Sequence, residues 1–395
     1  MVKIPLNIII HQKILVVTGA LLAVSLVFLK CAGDSPVTDP RGGEFAGSAS
    51  CSSCHKEISD SYAHTNHYKT SEAFSYSNFK KLVKATHKEV AYANAQTVSI
   101  EEIDGSVFQT LYAGGKKLQS ERLDLTFGSG EKAQTFIYWK DNEMYQLPLT
   151  YLTEKEMWTN SPGFPADQPY YTRIIPGRCM ECHASYAYAA KVQTGPLELR
   201  EKFSPGTIVF GIDCERCHGP AKQHVEFHQS HPEEKQATHI VPVKLLTRQQ
   251  QLDMCATCHS GDPLSLQSVF KFRPGDTLSK YYMYFTGSTG EPDVHGKQMQ
   301  LLAMSKCFQQ STLTCMTCHD THRKSNRAML VQQCISCHKE QQHPPGITMG
   351  QQDCITCHMP MRASKSLDFK SLRGDNVEYM LRTHRIAVYP EAEWK

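Results

Sequence analysis

Seven copies of one five-residue frame, Cys-x-x-Cys-His, constrain this chain more than any other feature. They read CSSCH (Cys51, Cys54, His55), CMECH (Cys179, Cys182, His183), CERCH (Cys214, Cys217, His218) and CATCH (Cys255, Cys258, His259). CMTCH (Cys315, Cys318, His319), CISCH (Cys334, Cys337, His338) and CITCH (Cys354, Cys357, His358) complete the set. Together they take 14 of the 16 cysteines and leave only Cys31 and Cys307 outside. Side chains three apart on a helical turn share a face. Two sulfurs so placed bond the two vinyl groups of a haem, and the adjoining histidine reaches the iron. Zinc asks for four converging ligands, usually from two paired knuckles, and a redox dithiol for one such frame at a strand-to-helix junction. Seven repeats, each ending in His, fit covalent haem c, with the 14 cysteines as thioether anchors and the seven histidines as proximal ligands.

The N-terminus places these thiols. Lys3 and Lys13 precede an apolar run from Ile14 to Leu29, the pattern of a secretory signal or short membrane anchor. Cys31 follows where a lipid-acceptor cysteine would stand, although Lys30 departs from the small residue usual before it. Lipoprotein, uncleaved anchor and ordinary cleavage all export the chain, to the periplasm or the outer surface. Outside the cytoplasm unpaired dithiols oxidise, unless haem attachment consumes both sulfurs. A formal charge of +3 without a basic run speaks against nucleic acid. Haem propionates would turn the balance acidic.

Nineteen histidines less seven proximal ones leave 12, and His11 lies in the export segment, so 11 candidates face seven open iron positions. His67 follows His55 by 12 residues, about 18 Å of helical rise, against about 4 Å between two ligands of one iron. It should serve another haem. His322 comes three residues after His319 and should reach a neighbour too, and the argument extends to His224 and His343. His295 and His384 stand apart from any motif in mixed apolar surroundings and are also expected to be distal ligands. His343 or His384 would close the haem of the last motif. His64, His87, His228, His231 and His239 read as solvated surface residues, Met359 as packing, and Cys307 as a buried free thiol.

The expected fold is mainly α with irregular loops, cored by haem. Residues 1–31 form the signal or anchor, 32–47 a flexible tether and 48–395 the haem domain. Within it, 68–178 is a haem-poor, β-hairpin-rich insert between the first and second motifs. Its hairpins are expected around Asp104-Gly105 and Lys140 to Asn142. Thr247 to Gln250 is a capping box before CATCH, and Gly219-Pro220 a stop after CERCH.

The stretches "FAGSASCSSCHKEISDSYAHTNH", "LPLTYLTEKEMWTNSPGF", "DCERCHGPAKQH", "DVHGKQMQLLAMSKCF", "LTCMTCHDTH" and "THRI" resemble the multihaem cytochromes c of the doubled CXXCH type. That broad group includes the tetrahaem cytochrome accepting electrons from hydroxylamine oxidoreductase and the haem modules of tetratricopeptide cytochromes. The likeness covers most of residues 46–390. It implies His67, His224, His295, His322 and His384 as distal ligands, with His343 beside them. No tetratricopeptide array and no C-x-x-C-K motif is present, so neither the partner binding of the one nor the nitrite chemistry of the other carries over. The expectation is an exported electron carrier with a largely bis-His array, working between redox partner proteins at a membrane. The alternative is a multihaem oxidoreductase of a small nitrogen or sulfur compound at a five-coordinate haem, for which no catalytic residue stands out.

Overall fold

The computed structural model describes residues 39–261, 263–284, 290–339, 354–370, 376–390 and 393. Cys31, the apolar N-terminal run and His343 lie outside them. The chain divides into two units, Met1–Gly43 and Glu44–Lys395. The described residues of the first hold an ion pair between Arg41 and Asp39. The second contains all seven motifs.

The regular structure of this second unit is dominated by two antiparallel sheets from the stretch between the first two motifs. Strand Gln96–Ile103 pairs with Ser106–Ala113 from Gln96 opposite Ala113 to Ile103 opposite Ser106. Asp104 (φ 49°) and Gly105 (φ 75°) turn it in the left-handed region, as a two-residue I′ turn requires. Asp141 (φ 51°) and Asn142 (φ 62°) do the same between Ala133–Lys140 and Glu143–Leu152. The first hairpin is extended by Glu89–Ala91 and Lys116–Arg122 into four strands; the second joins Ser71–Ala73, Leu125–Phe127, Met157–Asn160 and Arg173–Ile174 in a six-stranded sheet.

Period-two alternation sorts the side chains of the second hairpin between two cores. Phe136 and Tyr138 join Val98, Val107, Leu149, Tyr151 and Trp158 between the sheets. Ile137, between them in sequence, joins Leu125, Phe127 and Met144 on the other side, where they pack against Met180 of the second motif. The insert thus has its own core and a second apolar face that holds a motif helix.

The mainly α expectation is overturned: strands match helices in weight, and five two-stranded ribbons accompany the two larger sheets among the described residues. The reason lies in what the motif demands. Cys-x-x-Cys needs one helical turn, and several motif segments are little more, such as Cys315–Cys318 and Cys214–His218. Arg248–His259, started by the Thr247/Gln250 capping box, is a longer exception. Repetition of the motif therefore multiplies short turns without building a helical body.

Gln109 locks the two sheets together. Its Nε2 donates to Leu149 O (2.9 Å) and its Oε1 accepts from Leu149 N (2.9 Å), with no solvent exposure. Replacing Gln109 by Ala strands both backbone groups and should cost about 3 kcal/mol, read as a lowered denaturation midpoint at unchanged haem content.

Candidate functional site

All seven Cys-x-x-Cys pairs lie in helical turns: Ser48–Cys54, Gly177–His183, Cys214–His218, Arg248–His259, Cys315–Cys318, Arg327–Cys337 and Cys354–His358. Caps start several of them. Asp213 accepts from Arg216 N, Thr247 from Gln250 N and Asn326 from Met329 N. Where the helix ends at the second cysteine, the motif histidine closes the turn, its N–H donating to the first cysteine's carbonyl at 2.9 Å in His55, His319 and His338. Among the described residues no cysteine is in a disulfide. Cys307 is half-buried rather than buried.

The histidines come in facing pairs, each formed by remote parts of the chain. Ring centres are 6.4 Å apart for His55 and His224, 5.9 Å for His218 and His322, 5.9 Å for His259 and His67, and 6.2 Å for His319 and His384. An iron held between two imidazoles at about 2 Å each puts the ring centres roughly 6 Å apart. A fifth neighbour relation joins His183 and His295, each close enough that the charge of His183 lowers the pKa of His295 after burial itself. The pattern is cross-stitched. The histidine trailing the first motif meets the fourth, the one trailing the third meets the first, and the one trailing the fifth meets the third. His384 faces His319, not His358, so the expectation that it closes the last motif is corrected.

Polar partners orient these rings. His224 Nδ1 donates to Thr238 O and His358 Nδ1 to Ala387 O, both at 2.8 Å. A carbonyl only accepts, so Nδ1 carries the hydrogen and Nε2 keeps its lone pair. Nδ1 of His183 meets Thr70 Oγ1 (3.2 Å), that of His259 meets Gln298 Oε1 (3.1 Å) and that of His295 meets Ser366 Oγ (3.3 Å). These orienting groups were not legible in the sequence: two are main-chain carbonyls, and the others are ordinary polar residues far from the motif served.

Partial withdrawal from water lowers the pKa of half-buried His183 and His218 and brings half-buried His384 down to about 4; it acts in the same direction on His67, His295 and His319, although these residues stay exposed. Neutral imidazole, the form that binds metal, is thereby favoured. Of the histidines expected at the surface, His64, His87, His231 and His239 are exposed. His228 departs from that expectation, its Nε2 buried beside His224 without a hydrogen bond.

The β-insert completes the second motif. Phe127 stacks on His183 with ring centres 5.2 Å apart and planes 7° apart, and Ser71 Oγ donates to His183 O. The motif segments also touch one another. The first packs on the third, the second on the fourth, the fourth on the fifth, the fifth on the sixth and the sixth on the seventh. Sulfurs of different motifs come together at Cys51 and Cys214, Cys182 and Cys258, and Cys255 and Cys315. Arg216 ties the third motif to the second by donating to Glu181 O at 3.1 Å.

The donor chemistry suits haem c: paired thiols on one turn, an adjoining imidazole, and a second imidazole at the separation an iron would span. Among the described residues no three or more His, Cys, Asp or Glu side chains gather as a metal-ion site; a closed zinc centre would need four.

No protein-family model matches the chain, and no curated protein matches it at a significant level. Among solved structures it is similar to a cytochrome, in the crystal structure of the outer cell wall cytochrome OcwA. The TM-score is 0.48 at 16% identity, covering 87% of this chain and 79% of that one.

Proposed function

We propose that the chain is an exported seven-haem c-type cytochrome that carries electrons between redox partner proteins. The observation that carries this reading is the continuous packing of motif segments, with motif and distant imidazoles facing in pairs. Haem supplies a one-electron iron couple whose potential follows its ligands and surroundings. The chain's own groups do the rest. The 14 motif cysteines anchor, and His55, His183, His218, His259, His319, His338 and His358 ligate from one side. His224, His295, His322, His67 and His384 ligate from the other at the first five of these, in that order, and His343 serves one of the last two. An iron with an imidazole on each side offers substrate no vacant position, which favours carriage over catalysis.

The N-terminal apolar run exports the chain, and Cys31 holds it at a membrane if lipidated; mass spectrometry of the mature N-terminus tests this. After expression with the haem-attachment machinery, pyridine haemochrome analysis should give seven haems per chain. Low-temperature electron paramagnetic resonance of the oxidised protein should show low-spin iron at the six centres given two imidazoles. A substantial high-spin ferric signal would sink the pure carrier in favour of an oxidoreductase with an open haem. His322→Ala should convert one haem, that of His218, from low to high spin while leaving haem content unchanged.

A further inference from the structure

Helix Lys222–Ser230 carries His224 and, one turn further on, His228. Side chains four apart share a helix face, and the two rings meet edge-on with their centres 4.6 Å apart. Both ends of His224 are accounted for: Nδ1 donates to Thr238 O, and the ring faces His55 at 6.4 Å. His228 has no such account. Its Nε2 is buried and makes no hydrogen bond among the described residues, whereas buried polar atoms of native proteins are ordinarily paired. The ring is also braced. Phe227 lies edge-on to it at 5.2 Å, and Phe227 in turn stacks on His231 (4.4 Å) and meets His239 (5.3 Å), where the following loop folds back over the helix.

What His228 lacks follows from the pair beside it. His224 projects from the helix toward His55, so the plane of a haem held between them runs alongside the helix, and its rim passes the next turn, where His228 stands. The polar groups of that rim are the propionate carboxylates, which only accept. Resting on the seven-haem reading, we propose that His228 holds a propionate of the first motif's haem, donating from Nε2 to the carboxylate. Such a charge-assisted hydrogen bond draws off part of the negative charge near the iron, and so favours the ferrous form of that centre. The helix then serves one haem twice, with His224 at the iron and His228 at the rim.

The test is spectroelectrochemical titration and resonance Raman spectroscopy of the full haem-loaded chain carrying His228→Phe or His228→Gln. His228→Phe, which keeps a flat ring without the donor, should lower one midpoint of the seven and shift the propionate bending band of one haem. His228→Gln, whose amide offers an N–H near the same place, should restore both. Should His228→Phe fail to load haem, His228→Ala, which only removes atoms, should give the same shifts. Three outcomes overturn the inference: no midpoint moved at full haem content; glutamine shifting as phenylalanine does, the mark of a packing role alone; and no new high-spin signal in His224→Ala, which would make His228 an iron ligand instead. Peptide mass spectrometry finding Cys51 and Cys54 without haem in the unsubstituted chain would overturn the seven-haem reading, and the inference with it.

Discussion

The structure depends on imidazoles from distant parts of the chain brought to ring-centre separations of about 6 Å. Hydrophobic burial alone does not explain such pairs, since His55, His67 and His319 are exposed, whereas the spacing is that of two imidazoles on one iron. An iron held by each pair would cross-link remote segments, residues 67 and 259 or 55 and 224 among them. A chain made of one-turn helices and short ribbons would gain from this the tertiary order that it lacks in regular packing.

The β-insert supplies order by the ordinary route. Its hairpins turn on left-handed residue pairs, its inner core is apolar, and Gln109 joins its sheets through main-chain groups. What separates it from an independent module is its outer face, where Phe127 covers His183 and Ile137 packs beside Met180. A stretch without motifs thus builds the wall around the second motif.

Legibility followed the range of the interaction. The seven Cys-x-x-Cys-His frames were readable because each is a local pattern written in five residues, and each pair of cysteines lies in a helical turn. The hairpin turns were readable for the same reason. That His67 and His322 should meet a motif other than their own was readable from spacing alone, and their rings lie beside those of His259 and His218. Which histidine meets which motif was hidden, since it depends on where a turn sits in space: His384 meets His319 although His358 is nearer in sequence. The balance of helix and strand was misjudged because the motif's helical requirement ends after one turn.

That brevity has a consequence for charge. A longer motif helix would bury its two intervening side chains along a single face or expose them to solvent. A single turn, wedged between other motifs, directs successive residues to different neighbours. The intervening pairs of the other motifs are uncharged or, in CMECH, carry a glutamate already paired with Arg178. In CERCH, Glu215 is turned onto the start of the first motif's helix and Arg216 onto the second motif, so one turn ties three motifs together through main-chain groups.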